Sequence, residues 1–204
     1  MATDVATEAP ARAVPDSDPA LIGLPTFVVG AIALALVQTG YVPADAVGAS
    51  MSIIVPATAV GQLIAALWAV VLGQGAVAAV FGIFSGFWFS YAALVLGLAH
   101  GWFGISDAAA IPTQGLFLIA WVVTIGVLTL GTLRLPAVFT LLFGLITVNL
   151  ALVLYGTVGE SPGAVTTAGY VAFVFAGIGI YMFIGVLSTA TGGRPVPLGR
   201  PVLN

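Results

Sequence analysis

Charged residues are scarce in this sequence. Only 5% of its 204 residues are charged and 61% are hydrophobic, whereas a soluble globular domain carries about 25% charged residues. Lysine is absent altogether. So little charge could not cover a surface exposed to water, and we therefore expect the lipid bilayer to be the main solvent of this chain.

Cysteine is also absent, and histidine occurs once, at His100. The absence of cysteine excludes disulfides, thiol catalysis and thiolate metal sites, and a single histidine argues against a zinc site built by the protein. The few cations are too scattered to form a basic stripe, so nucleic acid is not an expected partner. Paired carboxylates and histidine clusters are missing as well, and we expect neither an enzyme nor a bound cofactor.

Six apolar runs are each long enough to cross the hydrocarbon core of a bilayer, which takes about 20 residues. Short segments with glycine, proline and polar residues separate them, as is usual for loops. The predicted fold class is an all-α integral membrane protein, with a disordered tail over 1–17, a six-helix transmembrane domain over 18–192 and a C-terminal tail over 193–204. The predicted spans are 22–39, 50–72, 76–98, 113–133, 137–156 and 165–187.

The arginines predict the orientation of the helices. With the N-terminus in the cytoplasm, every arginine falls on the cytoplasmic side, while the outer loops carry Asp45, Asp107 and Glu160 but no cation. This distribution follows the positive-inside rule. Both tails are therefore predicted to be cytoplasmic, in a multi-pass protein of the plasma (inner) membrane. The four arginines are Arg12, Arg134, Arg194 and Arg200.

No Asp, Glu, Lys or Arg lies within a predicted span. Ion pumps and proton-driven transporters usually keep such a residue, because it carries the coupling. The uncharged polar residues of the spans would suit a small, weakly polar or protonatable solute. Gln62 and Asn149 each have two interpretations, a hydrogen bond to a neighbouring helix or contact with a solute. Ser85 and Tyr181 are further candidates for a polar pore lining.

Glycines are frequent within the apolar runs. Gly82 and Gly86 form a small-xxx-small pair among several aromatic residues, and such pairs allow helix backbones to approach closely. Close helix packing is one interpretation of these glycines. The other is that some of them make room for a solute beside an aromatic side chain.

The stretch DPALIGLPTF, residues 18–27, joins the N-terminal tail to the first apolar run. Its two prolines and its glycine predict a helix entrance rather than a helix interior, with Asp18 and Pro19 starting and capping the helix. The stretch resembles the entrance motif of the acetate and succinate permease family (the YaaH type), Asn-Pro-Ala-Pro-Leu-Gly-Leu. The matching positions are Pro19, Ala20, Gly23 and Leu24, with Asp18 in place of the Asn and Phe27 as the aromatic residue that follows.

Three further motifs carry the same resemblance. FSGFW at 84–88 is similar to the Tyr-Gly-Ser-Phe-Trp run of the family's third helix, and GTLR at 131–134 is similar to its Gly-Thr-Leu-Lys turn. GRPVPLG at 193–199 resembles the closing Gly-Arg-Thr-x-x-Pro-x-Gly run. The resemblance therefore extends over nearly all of residues 18–199.

The resemblance implies six helices around a narrow pore in each protomer, and a homohexamer of protomers. It implies transport of acetate and related short monocarboxylates, and in some members succinate, either through a channel or coupled to protons. It also implies an apolar constriction at Phe27, Phe84 and Ile146. Three departures make the path less polar than in the family. A Glu of the second helix falls at about Ala69, a Thr-Thr pair of the first helix falls at about Gly30 and Ala31, and a Tyr of the third helix is Phe84.

Two other functions are compatible with the same pattern. A six-helix channel for urea or a short amide would suit the lack of charge within the spans. A membrane scaffold that transports nothing would show the same helices, but it has no need of a continuous polar-lined path.

Overall fold

Six long helices make up most of residues 17–203, the part of the chain that the computed structural model describes, apart from the side chains at 44, 45 and 47. All six are long and apolar enough to cross a bilayer, so the predicted fold class is confirmed, with every helix end within a few residues of its prediction. The tail predicted over 1–17 lies outside the described residues except for its last one. The helices are α1 (Ala20–Gln38), α2 (Gly48–Val71), α3 (Gly75–Ala99), α4 (Ala110–Gly131), α5 (Ala137–Val158) and α6 (Pro162–Ala190).

The outer faces of the helices are apolar. Leu67 on α2, Leu116 on α4 and Ile184 on α6 are each more than half exposed. Such faces are stable in lipid, where helices satisfy their own backbone hydrogen bonds and need no polar surface. The chain is therefore a multi-pass membrane protein.

Helix α1 begins earlier than expected and runs through its second proline. Pro19 has helical dihedral angles (φ −55°, ψ −23°), and Asp18 caps the helix by accepting a hydrogen bond from the Ala20 N–H at 2.8 Å. The expectation that residues 18–27 are not helix interior is wrong, because Pro25 lies inside α1. Proline removes only one backbone hydrogen bond here, and packing against neighbouring helices keeps such turns in membrane helices.

Helix α2 contains a wide π-helical turn over Ile54–Ala59 that the sequence did not predict. Pro56 lies within this turn and has no N–H to donate, which weakens the regular α-helical pattern there. The hydroxyl of Ser85 on α3 donates a hydrogen bond to the Ala59 carbonyl at 2.9 Å. The turn is therefore held against α3 by a side chain from the neighbouring helix.

Glycines and threonines interlock α1 with α2. A Cβ added to Gly30 would lie 2.6 Å from the Thr58 hydroxyl, and a Cβ added to Gly61 would collide with the Thr26 side chain. Each helix therefore contributes one glycine that receives a threonine from the other. At these two positions the close-packing interpretation of the glycines is the one that the structure supports.

The C-terminal segment lies across one end of the bundle. The Val138 N–H donates to the Leu198 carbonyl at 3.1 Å, and the Leu203 N–H donates to the Leu133 carbonyl at 2.9 Å. These bonds attach the segment to the turn between α4 and α5. Residues 193–203, predicted as a tail, are thus packed against the transmembrane domain.

Candidate functional site

The three residues predicted to form a constriction lie together. Phe27 of α1, Phe84 of α3 and Ile146 of α5 all line one narrow cavity. The Phe27 and Phe84 rings meet edge to face, with centroids 5.8 Å apart and an interplanar angle of 76°. The other lining residues are Leu34, Phe87, Trp88, Asn149, Leu150 and Phe175.

Packing on both sides holds these rings in place. Phe175 of α6 packs against Phe27 with ring centroids 6.0 Å apart, and Phe143 of α5 stacks on Phe84 at 5.7 Å. Gly179 leaves room for Phe27, since a Cβ there would lie 3.2 Å from two carbons of its ring. This glycine therefore makes room for an aromatic side chain and not for a solute, which is the close-packing interpretation.

The narrow cavity is closed to solutes in this conformation. Its volume is about 10 Å³, which is about the least that one water molecule needs. Aromatic and aliphatic side chains make up most of its lining, and an apolar constriction of this kind excludes water and ions. A small carboxylic acid could pass only if the Phe27 or Phe84 ring turned aside.

A wider chamber adjoins the narrow cavity. Its volume is about 220 Å³, and Leu34, Phe87, Asn149 and Leu150 line both spaces. The two spaces therefore share a wall. The polar residues that line the chamber are Gln38, Tyr91, Gln114, Asn149 and Thr157.

The structure supports the hydrogen-bond interpretation of Asn149, and contact with a solute stays a prediction. It is 1% exposed, and its Nδ2 donates to Gln38 Oε1 at 2.8 Å and to the Ala168 carbonyl at 2.7 Å. These bonds join α5 to α1 and α6. Because Asn149 also lines both cavities, the same amide stabilises the bundle and contributes polarity to the path.

The other three candidates for a polar pore lining do not line either cavity. Ser85 bonds to α2, as described above, and Gln62 is fully buried. Tyr181 is 39% exposed, and its hydroxyl donates to the Pro197 carbonyl of the C-terminal segment at 2.6 Å. Tyr181 thus contributes to the packing of that segment.

Gln38 and Tyr91 belong to the uncharged polar residues of the spans, but sequence reasoning did not single them out as candidates for the lining. Both could have been found by helical periodicity. Gln38 lies on the same face of α1 as Phe27, three turns further along, and Tyr91 lies seven residues after Phe84. Residues spaced by three, four and seven share one face of a helix.

The entrance motif positions α1 and does not line the path. Pro19 is fully buried and Leu24 is nearly so. A Cβ on Gly23 would collide with the Phe81 ring, so glycine is needed for α3 to approach α1 at this point. Together with the Asp18 cap on Ala20, these contacts fix where α1 begins, and so where Phe27 projects.

The profile of the GPR1/FUN34/yaaH family matches residues 4–193 of the chain. The protein belongs to this family. One similar solved structure is described as that of the bacterial acetate channel SatP. This chain superposes on the SatP structure with a TM-score of 0.79, and the two sequences are 26% identical. The match covers 90% of this chain and 99% of the SatP chain.

Curated relatives of this GPR1/FUN34/yaaH protein are similar over most of its length. The succinate-acetate/proton symporter SatP of Escherichia coli (strain K12) is 27% identical over 185 residues, which are 90% of this chain and 96% of the relative. The glyoxylate pathway regulator of Yarrowia lipolytica is 26% identical over 193 residues, which are 90% of this chain and 69% of the relative. These relatives are bacterial and fungal.

Proposed function

We propose that this protein transports acetate and related short monocarboxylates, with succinate as a further substrate, across a membrane. The main support is the path inside the protomer, in which Phe27, Phe84 and Ile146 close a cavity of about 10 Å³ beside a chamber of about 220 Å³. The similarity to a succinate-acetate/proton symporter and to an acetate channel supports the same class of solute. Each protomer would carry its own path.

The chemistry of the path fits a small carboxylic solute. The chamber offers amide, hydroxyl and phenol groups but no charged side chain among its lining residues. Such groups can hydrogen-bond a carboxyl group without binding it tightly enough to trap it. The apolar constriction then favours a solute that sheds its water easily, since ions lose much more hydration energy there.

Orientation and assembly complete the proposal. The arginine distribution supports cytoplasmic tails in a plasma (inner) membrane, and the family resemblance supports a homohexamer. The apolar outer faces of α2, α4 and α6 are available to lipid or to other protomers.

Two alternatives have less support. A scaffold without transport activity would have no need of the chamber and its polar lining. A channel for urea or short amides is not indicated by the similar proteins, whose descriptions concern acetate and succinate.

Uptake of labelled acetate into proteoliposomes tests the proposal, with and without an inward proton gradient and with urea in parallel. We expect acetate uptake above that of protein-free vesicles. A rise with the gradient would indicate passage linked to protons, and indifference to it would indicate an anion channel. Urea flux without acetate flux, or flux of neither solute, would contradict the proposed function.

A further inference from the structure

Three polar side chains are buried without hydrogen-bond partners among the described residues. They are Thr58 and Gln62 of α2 and Trp88 of α3, which we name the polar seam. Thr58 and Gln62 are 0% exposed and Trp88 is 2% exposed. The unpaired atoms are Thr58 Oγ1, Gln62 Oε1, Gln62 Nε2 and Trp88 Nε1.

Contacts between α2 and α3 give the depth of Gln62 in the bundle. The Ser85 hydroxyl reaches the Ala59 carbonyl at one level, and Phe81 packs against Ala66 at another. Gln62 lies between Ala59 and Ala66 along α2, so its depth lies between those of Ser85 and Phe81. The constriction ring of α3 lies at this same depth.

Contacts between α1 and α2 lead to the same depth. Gly61 receives Thr26, and Gly30 receives Thr58. Phe27, the constriction ring of α1, lies between Thr26 and Gly30 in the chain. The α2 part of the seam therefore lies beside the segment of α1 that carries Phe27.

The α3 part of the seam opens onto the path. Trp88 follows Ser85 by about one helical turn and lines the narrow cavity together with Phe27 and Phe84. A solute that displaces the Phe84 ring would therefore meet Trp88. Of the seam residues, Trp88 lines the narrow cavity, and Gln62 lies at the depth of Phe84 without lining that cavity.

Unpaired polar groups are costly in a protein interior. Packing alone would favour apolar residues at these positions, as at Ala65 and Ala69 on the same face of α2, which are both 0% exposed. A polar group of the solute that binds here during transport would offset the cost of burying these unpaired atoms. The chemistry of the unpaired atoms then indicates which group fits.

We propose that the polar seam binds the protonated carboxyl group of the solute. The Gln62 amide has one acceptor, Oε1, and a donor, Nε2. A carboxylic acid presents the complementary pair, because its O–H donates to Oε1 and its carbonyl accepts from Nε2–H. The Trp88 N–H is a second donor for that carbonyl, and Thr58 can donate or accept. This inference rests on the proposed function, and in it the proton crosses on the acid itself.

An ionised carboxylate fits the seam poorly. It has acceptors only, so Gln62 Oε1 would remain unpaired. The six helices contain no Lys, Arg or His, and burying an ion without an opposite charge is strongly unfavourable. The seam therefore discriminates in favour of the neutral acid.

Acetamide is a suitable probe, because it has the same shape as acetic acid, carries a donor and an acceptor, and does not ionise. The full-length protein is reconstituted into vesicles, and acetamide entry is followed by stopped-flow swelling. We expect entry faster than into protein-free vesicles. Acetate should slow this entry at about pH 5, close to the usual pKa of carboxyl groups, and much less at about pH 8.

Gln62→Met keeps the length of the side chain and removes both hydrogen-bonding atoms. We expect it to reduce acetamide entry about tenfold, the effect of losing roughly one good hydrogen bond. Gln74→Met is the matched control, since Gln74 lies in the turn between α2 and α3 and should keep the wild-type rate. Trp88→Phe keeps an aromatic ring without the N–H and should give a smaller loss in the same direction, which provides a second test if Gln62→Met folds poorly.

Several outcomes would overturn the inference. One is labelled acetate uptake without acetamide entry, which would leave the proposed function intact. Another is competition by acetate to the same extent at both pH values, since the ionised form would then be recognised. If the Gln62→Met and Trp88→Phe variants both admitted acetamide at the wild-type rate, the seam would have a role in packing only. Absence of both acetate and acetamide flux would contradict the proposed function as well.

Discussion

Two amides buried in the helix bundle, those of Asn149 and Gln62, differ in their hydrogen-bond partners. In the wide part, Asn149 donates to Gln38 and to the Ala168 carbonyl. At the depth of the narrow part, neither atom of the Gln62 amide has a partner among the described residues. The helices around Asn149 are therefore joined through its own amide, whereas those around Gln62 are joined by close packing of glycine, threonine and alanine and by the Ser85 hydroxyl.

The difference separates two uses of a polar residue in a membrane protein. A paired amide contributes to helix association, typically by about 0.6–1.7 kcal/mol. An unpaired amide lowers stability and remains available for a ligand. Residue type alone does not distinguish a paired amide from an unpaired one, since in the sequence each is a single amide residue within an apolar span.

Removing the Phe84 ring should have the largest effect, because it abolishes the difference in width between the two parts. We expect Phe84→Ala to lower the free energy of unfolding by about 3–5 kcal/mol, as for other buried aromatic residues. It should also admit a longer monocarboxylate such as butyrate, measured as its labelled uptake relative to acetate. Phe27→Ala should act in the same direction.

Phe89→Ala is the matched control for that experiment. Phe89 lies on the same helix but is 39% exposed, and it lines neither cavity. Uptake ratios that change equally in Phe84→Ala and Phe89→Ala, or in neither, would contradict the assignment of the constriction.

Asn149→Leu should have the next largest effect, because it removes the paired amide. Gln38 Oε1 and the Ala168 carbonyl lose their donor, so we expect a loss of about 1–3 kcal/mol, seen as a lower unfolding temperature in detergent. A double-mutant cycle with Gln38→Leu isolates the bond between the two side chains. Strictly additive effects of the two substitutions would show that this bond contributes nothing.

Gln62→Met should have a smaller effect on stability and of the opposite sign. Removing an amide without partners relieves a cost of roughly 1 kcal/mol or more, so the unfolding temperature should stay the same or rise. The same scan in detergent measures it, beside Asn149→Leu. An unfolding temperature as low as that of Asn149→Leu would mean that both amides stabilise the bundle.

Gly179→Ala should have the smallest effect. Alanine usually stabilises a helix over glycine by about 1 kcal/mol, but here its Cβ would press on Val28 at 2.9 Å and on the Phe27 ring at 3.2 Å. We expect these contacts to cancel the gain in helix stability, and we expect the rate of acetate uptake to change. Gly177→Ala is the control, because its Cβ would have no neighbour within 4 Å, and equal stabilisation of both variants would contradict a contact between Gly179 and Phe27.

Much of the fold followed from the sequence because lipid imposes simple rules. The apolar runs predicted all six helices, since a membrane span needs only length and hydrophobicity. The prolines were harder to interpret. The prolines at 19 and 25 predict a helix entrance, but α1 continues through Pro25, and Pro56 lies within a wide turn of α2.

The candidate site was predictable only in part. Family motifs indicated Phe27, Phe84 and Ile146, and the structure brings these three side chains together. They did not indicate Gln38 and Tyr91, which lie on the same helix faces. Tyr181 was considered as a pore residue, yet it bonds to the C-terminal segment. Which face of an apolar helix is turned inward is not encoded in a span that is hydrophobic all round.

The sequence by itself determined that this protein is a six-helix membrane protein without charge in its spans, because hydrophobicity over about 20 residues is a local property. Only the tertiary structure decided that Asn149 finds partners and Gln62 does not. Hydrogen bonding of a buried amide depends on what the neighbouring helices place within about 3 Å of it. Those neighbours come from distant parts of the chain, and their positions are set by packing.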